Sequence, residues 1–400
     1  MYTKDQERLL QELVEEFNRT NEWHITVRAE YAGYFSDIRK KILDSLAAGV
    51  PPDLAIAFPN QVAEYQQYGI VEPLDDYVGS VRYGLTPDDL ADIFSTILES
   101  DRYPTYENRL LSFPPSRSME VLYYNMDWLE ALGYETPPET WEQFRSLCIA
   151  ASGDTDGDGI RDAYGYALDV NHYVLENWIW SYGGSLTSDD YKQAAFHNSE
   201  GVAALTFLTE LVSSGYAYQV SKRYDDQSAF ATQKALFTTG TSAGIPYYTQ
   251  QITDPKTRKP RFRWAVAPIP HNTTEPVVII HGPSIVLFKS TPQRQLASWL
   301  FIRWFTQPEN NARWAMATNY FPLRKSALAL DVMKDYIKNN PAYATAAEFL
   351  SYARAEPRIA AWYQVQELLA EAMREALNGT KSPKQALDDA AREANGLLSQ

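Results

Sequence analysis

The sequence predicts an α/β protein of two domains, on three observations. Its 400 residues exceed what one ordinary core covers. Short apolar runs alternate with amphipathic helical stretches along residues 2–74, the pattern of a sheet covered by helices. Residues 110–144, LLSFPPSRSMEVLYYNMDWLEALGYETPPETWEQF, read as strand, Pro-broken crossing, strand, helix, Pro-rich loop and capped helix.

In chain order, residues 2–18 form a helix with Leu9, Leu10, Leu13, Val14 and Phe17 on one face. Residues 24–31 alternate as a strand, and residues 37–48 form a second helix stopped at Gly49. Pro51-Pro52-Asp53 turns the chain into the apolar strand 54–58, and residues 61–68 are helical. Continuous apolar strands between helices predict a parallel sheet. The run Val121-Leu122-Tyr123-Tyr124-Asn125 is a strand, residues 126–132 a helix ending at Gly133. Thr140, with Gln143 three residues on, makes a capping box around Trp141. Helices follow at 178–182, 201–214 and 226–233, and strands at 234–239, 263–269, 277–280 and 284–288. Residues 291–305 form a helix with Pro292 near its start. Beyond residue 357 nearly everything is helical, with Ser382-Pro383 opening the last helix.

A hydrophobic fraction of 45% with 22% charge is globular composition, not disorder. A net charge of −15 argues against nucleic acid as a partner, because phosphate binding needs clustered Lys and Arg. One cysteine, Cys148, excludes an intrachain disulfide and a thiolate metal site, and it falls on the apolar face of the helix begun at Thr140, as a buried inert thiol. No apolar run is long enough to span a membrane as a helix.

The sharpest local motif is the acidic loop 154–162, DTDGDGIRD. Asp154, Asp156 and Asp158 stand at alternate positions one, three and five, glycine follows at six, and Asp162 is ninth, the oxygen spacing of a Ca²⁺ loop. Position twelve is Gly165 instead of a bidentate Glu, so the fit is incomplete. The expectation is a structural Ca²⁺; the competing reading is a solvated acidic turn. No organic cofactor is predicted, and the histidines show no metal spacing.

Gly240-Thr241-Ser242-Ala243-Gly244 matches G-x-S-x-G after a strand, which raises a serine hydrolase with Ser242 as nucleophile, Asp254, and His271 or His281. Pro246 shortens any elbow helix, and the same turn serves equally as a ligand loop. A third reading, a Ca²⁺-dependent adhesion module, rests on the acidic loop alone. Aromatic residues make 13% of the chain, with 27 tyrosines, and such rings and hydroxyls suit a polyhydroxy ligand. Trp141, Trp299 and Trp304 sit in helical patterns and read as core; Tyr34, Tyr247, Tyr320 and Trp362 stand beside loop positions.

Taken in order, SMEVLYYNMDWLEALG, PPETWEQF, ALFTTGTSAG, HGPSIVLF, TNYFPLRKSA and GTKSPKQALDDAAREANGLL resemble the family-1 extracellular solute-binding proteins of ABC transporters, nearest the sugar and glycerol-3-phosphate-binding branch. The resemblance implies a two-lobed periplasmic-binding-protein fold of type II, maltose-binding-protein-like, with discontinuous lobes (1–112 plus 271–320, and 113–270 plus 321–400) and a cleft that closes on a ligand. It implies no enzymatic activity. It also implies ligand contacts from Tyr34, Asn60, Ser116, Arg117, Ser118, Tyr173, Thr241, Ser242, Gly282, Tyr320, Arg358 and Trp362. Arg358 matches a phosphate-contacting arginine of that branch. Phe58-Pro59-Asn60 replaces an acidic residue, and Arg117 intrudes into a serine loop, so the ligand does not transfer with the fold. The implied partners are a small polar ligand (a sugar, polyol or glycerophospho-compound) and the transmembrane permease, with the binding protein itself a monomer. The resemblance also implies extracytoplasmic placement, periplasmic or lipid-anchored, and members of the family usually carry an export signal and a strand before the first helix.

Overall fold

Clustering of the chain's internal contacts divides it into two α/β units. The computed structural model describes residues 4–33, 35–222 and 224–399. Residues 1–118, 281–339 and 358–362 make the first unit; residues 119–280, 340–357 and 363–400 make the second. The strand Ser116–Asn125 begins in the first unit and continues in the second.

In the first unit, helix Lys4–Thr20 buries Leu13, Val14 and Phe17, as its apolar stripe requires. The Phe17 ring meets Phe301 edge-on at 5.1 Å. Strand Leu54–Ala57 pairs antiparallel with Ser284–Leu287, in a register that sets Ala57 opposite Ser284. Helices Phe35–Ala47 and Pro59–Gln67 supply Ile42, Val62, Ala63 and Tyr65 to a core shared with Val286 and Phe288.

The second unit is built on a mixed sheet. Ser116–Asn125 pairs antiparallel with Ala235–Thr241 and with Trp264–Ala267. Tyr164–Leu168 pairs in parallel with Ala235–Thr241 and with Ala217–Gln219, and Ala353–Ala355 in parallel with Val278–His281. The capping box forms as the sequence requires: Thr140 Oγ1 accepts the Gln143 N–H at 3.3 Å and Gln143 Oε1 accepts the Thr140 N–H at 3.2 Å. Helix Trp141–Ala151 then packs Trp141 against Trp178, ring centroids 4.0 Å apart. Cys148 is fully buried in it, and burial pushes its thiol well above the ordinary range. A Cβ at Gly165 would lie 2.2 Å from Cys148 Cα, so packing of strand on helix dictates glycine there.

Three expectations are corrected. Residues 24–31 form no strand, and His24 is left-handed at φ +54°. Their backbone groups bond instead to side chains at the end of the first helix and just past it: Asn18 Oδ1 accepts the Val27 N–H at 2.7 Å and Asn21 Oδ1 the Ile25 N–H at 2.8 Å. The sheets are not parallel throughout, since a continuous apolar run reports burial on both faces, not strand direction. Residues 321–339, expected in the second lobe, belong to the first unit. Phe321 and Pro322 pair with Arg117 and Ser116, and the buried Arg324 guanidinium reaches Asp89 at 2.7 Å and the Thr306 carbonyl at 3.0 Å.

Candidate functional site

The first unit brings several candidates together at one end of its strand pair. Gly282 sits between strands Val278–His281 and Ser284–Leu287 at φ +149°, a backbone region that disfavours side chains. A Cβ there would stand 3.2 Å from the Tyr320 ring and 3.3 Å from the Ser116 carbonyl oxygen. Gly282, Tyr320 and Ser116, far apart in sequence, are therefore neighbours. Ser118, buried, donates its hydroxyl to the His281 carbonyl at 3.3 Å. Asn60 follows strand Leu54–Ala57, in the first turn of helix Pro59–Gln67. Asn60 is half-buried, and its Oδ1 accepts the Gln61 N–H at 2.9 Å.

Arg117 is committed to a buried ion pair. Its side chain is 1% exposed and ion-pairs with the fully buried Asp101. It also donates to Ser100 Oγ at 3.1 Å and Ser284 Oγ at 2.8 Å. A guanidinium buried on the first unit's sheet needs a carboxylate more than it can serve a ligand. Asp101, which sequence reasoning passed over, is the partner; its second oxygen accepts from Ser112. No local spacing announces a pair sixteen residues apart.

Arg358 is half-buried and donates from Nε to the Arg102 carbonyl at 2.6 Å. Its charge reaches Tyr103, whose hydroxyl burial keeps protonated. Trp362 is 1% exposed, with no acceptor for its indole N–H among the described residues. Tyr34 lies outside the described residues.

In the second unit, Thr241 ends strand Ala235–Thr241 and Ser242 opens a single 3₁₀ turn. The Thr241 carbonyl accepts the Tyr123 hydroxyl at 2.8 Å. Ser242 is fully buried, and its Oγ accepts the Met119 N–H at 3.1 Å. The strand-turn context expected of a nucleophile elbow exists, but the serine faces backbone and not solvent. His271 is engaged with the Thr273 carbonyl at 2.8 Å. The hydrolase reading has no geometric support. Tyr173, half-buried, stands second in helix His172–Ser181 beside the His172 ring at 3.9 Å. Asp226, also missed by sequence reasoning, accepts the Tyr248 hydroxyl at 3.0 Å. Burial, then the Asp169 charge, pushes its carboxyl up to about 6.

The acidic loop forms a tight turn. Asp154 takes the Gly157 and Gly159 N–H groups at 2.7 Å each, and Asp162 takes the Thr155 N–H at 2.9 Å. The bond from Gly159, then that from Gly157, holds the Asp154 carboxyl below its ordinary range. Oxygens of Asp154, Asp156 and Asp162 converge within 4.8 Å of one another. Asp158 stands outside that group, its Oδ1 accepting the Ile160 N–H at 2.7 Å.

Among known proteins, the chain is 25% identical over 308 residues to the sn-glycerol-3-phosphate-binding periplasmic protein of Shigella flexneri, covering 72% of this chain and 67% of that one. The fold is shared with the sugar-binding protein MalE from Xanthomonas citri, at a TM-score of 0.85 and 20% identity over 100% of this chain and 96% of that one. It is shared also with UgpB from Mycobacterium tuberculosis in complex with glycerophosphocholine, at a TM-score of 0.80 and 19% identity over 98% of this chain and 95% of that one. Those likenesses establish the maltose-binding-protein-like fold. Residues 12–345 match the profile of the bacterial extracellular solute-binding proteins, and the chain belongs to that family.

Proposed function

We propose that this chain is the capturing component of an ABC importer for a small polyhydroxy ligand, a sugar, oligosaccharide, polyol or glycerophospho-compound, which it delivers to a membrane permease. The observation that carries the reading is the contact of Gly282 with Tyr320 at the end of the first unit's strand pair. Glycine lets the buried backbone pack closely against the half-buried Tyr320, whose ring and hydroxyl suit a polyhydroxy ligand. Asn60, Ser118 and Arg358 would add polar contacts from the same unit. The relatives favour this class. The Shigella flexneri protein is a glycerol-3-phosphate binder by name, the Mycobacterium tuberculosis structure holds glycerophosphocholine, and the Xanthomonas citri protein binds sugar. Binding without catalysis, a monomeric state, and placement in the periplasm or on a lipid anchor belong to the same reading.

A thermal-shift panel of maltose, maltotriose, glycerol-3-phosphate and glycerophosphocholine tests it. A true ligand at a hundred times its Kd should add about 2.7 kcal/mol of stability. Tyr320→Ala should remove that gain; no shift with any member would overturn the reading. Asp154, Asp156 and Asp162 would hold a structural Ca²⁺ in the loop of the second unit, as an all-oxygen donor set suits a hard cation.

A further inference from the structure

The second unit holds a cluster that solute capture does not use. His172 and Glu176 lie four residues apart in helix His172–Ser181, so both project from one face. His172 Nδ1 stands 3.3 Å from Glu176 Oε1. Glu356, just past strand Ala353–Ala355, faces them, and one donor atom from each of the three lies within 4.8 Å of the others. Glu176 is fully buried, and the side chains that reach its carboxyl are His172, Glu356 and Gln366. The His172 Nδ1 atom is buried beside it. Gln366 donates to Glu356 and steadies it from outside the trio.

Two carboxyls and an imidazole gathered in the interior are costly unless a proton or a cation neutralises them. We propose that His172, Glu176 and Glu356 form a binding site for a borderline divalent transition cation of the Zn²⁺ class. One imidazole nitrogen and two carboxylate oxygens are a donor set such ions accept, with a fourth position left for water. The two carboxylates would neutralise the ion's charge. A nitrogen donor separates this site from the all-oxygen acidic loop, which suits Ca²⁺. Burial keeps the His172 ring neutral against the charges of Glu356, Glu367 and Glu120, and a neutral ring is the ligating form. This inference goes beyond solute capture and does not depend on it.

The test is calorimetric titration of chelator-stripped protein with ZnCl₂, followed by Co²⁺ absorption spectroscopy. Wild type should bind one Zn²⁺ and give Co²⁺ d–d bands that Zn²⁺ displaces. Glu176→Gln, nearly isosteric and neutral, should weaken Zn²⁺ binding by at least roughly 100-fold, the upper end of what losing even an outer-shell partner costs. His172→Asn should do the same and abolish the Co²⁺ bands. Asp154→Asn should change neither. The proposal is overturned if both site variants bind Zn²⁺ as wild type does, or if wild type binds none. Should Glu176→Gln fail to fold, imidazole NMR decides: of the five histidines, Zn²⁺ should move the His172 signals at one equivalent, and no His172 change would sink the idea.

Discussion

Replacing Arg117 by methionine separates two roles for that residue. The resemblance placed it among ligand contacts; the structure buries it against Asp101, with side-chain exposures of 1% and 0%. Methionine keeps much of the volume but strands the Asp101 carboxylate in the interior. Removing one partner of a buried pair costs about 3–5 kcal/mol, because the remaining charge is uncompensated. Ser100 and Ser284 lose an N–H donor in the same step, at about 1 kcal/mol each. The variant should therefore lower the urea midpoint of the first unit's transition by the equivalent of at least about 3 kcal/mol. Asp101→Leu should cost a similar amount. The double variant Arg117→Met/Asp101→Leu should recover most of it, since a matched apolar pair carries no stranded charge. Ligand affinity, measured by calorimetry well below the unfolding transition, should stay within about threefold, a change of roughly 0.65 kcal/mol. A variant as stable as wild type that binds ligand at least tenfold more weakly would refute the structural reading and restore Arg117 to the ligand contacts.

Glu176 gives a pH signature in chelating buffer. Burial raises its carboxyl from 4.5 to about 8, so the folded chain keeps a proton that the unfolded chain gives up above pH 4.5. Stability should fall between pH 4.5 and 8 relative to Glu176→Gln, which cannot titrate there, by up to about 5 kcal/mol at about 1.4 kcal/mol per tenfold change in proton affinity. Parallel urea midpoints for the two proteins across that range would contradict this. Gly282→Ala should cost about 1–3 kcal/mol for its backbone conformation and displace the Tyr320 ring, weakening ligand binding by calorimetry. Unchanged stability and affinity would count against the placement of that turn. Ca²⁺ at a hundred times its Kd should stabilise wild type by about 2.7 kcal/mol and leave Asp154→Asn unmoved in a melting experiment, whereas an equal shift in both would move the ion elsewhere.

Much of the fold was legible because its signals are local. The capping box at Thr140 and Gln143, the buried helix around Cys148, and the Ser382-Pro383 start all formed where the sequence put them. The strand expected at residues 24–31 failed because alternation marks an extended chain, while a strand also needs a neighbour. Here Asn18 of the first helix and Asn21 just beyond it take the backbone bonds. In the site, Gly282 and Tyr320 were assigned together by resemblance, and the structure sets them in contact. The His172–Glu176 spacing was in the sequence too, but a search for paired histidines passes over a histidine paired with a glutamate.

The sequence by itself determined the α/β class, several helices, the family, and the set of residue types suited to a polyhydroxy ligand. Each of these rests on periodicity, caps or motif order, which neighbours along the chain settle. Only tertiary structure decided where residues 321–339 belong, that Arg117 answers to Asp101, and that Glu356 joins a histidine and a glutamate some 180 positions earlier. Those facts depend on which charges are buried together, and burial is a property of the packed chain that no local spacing records.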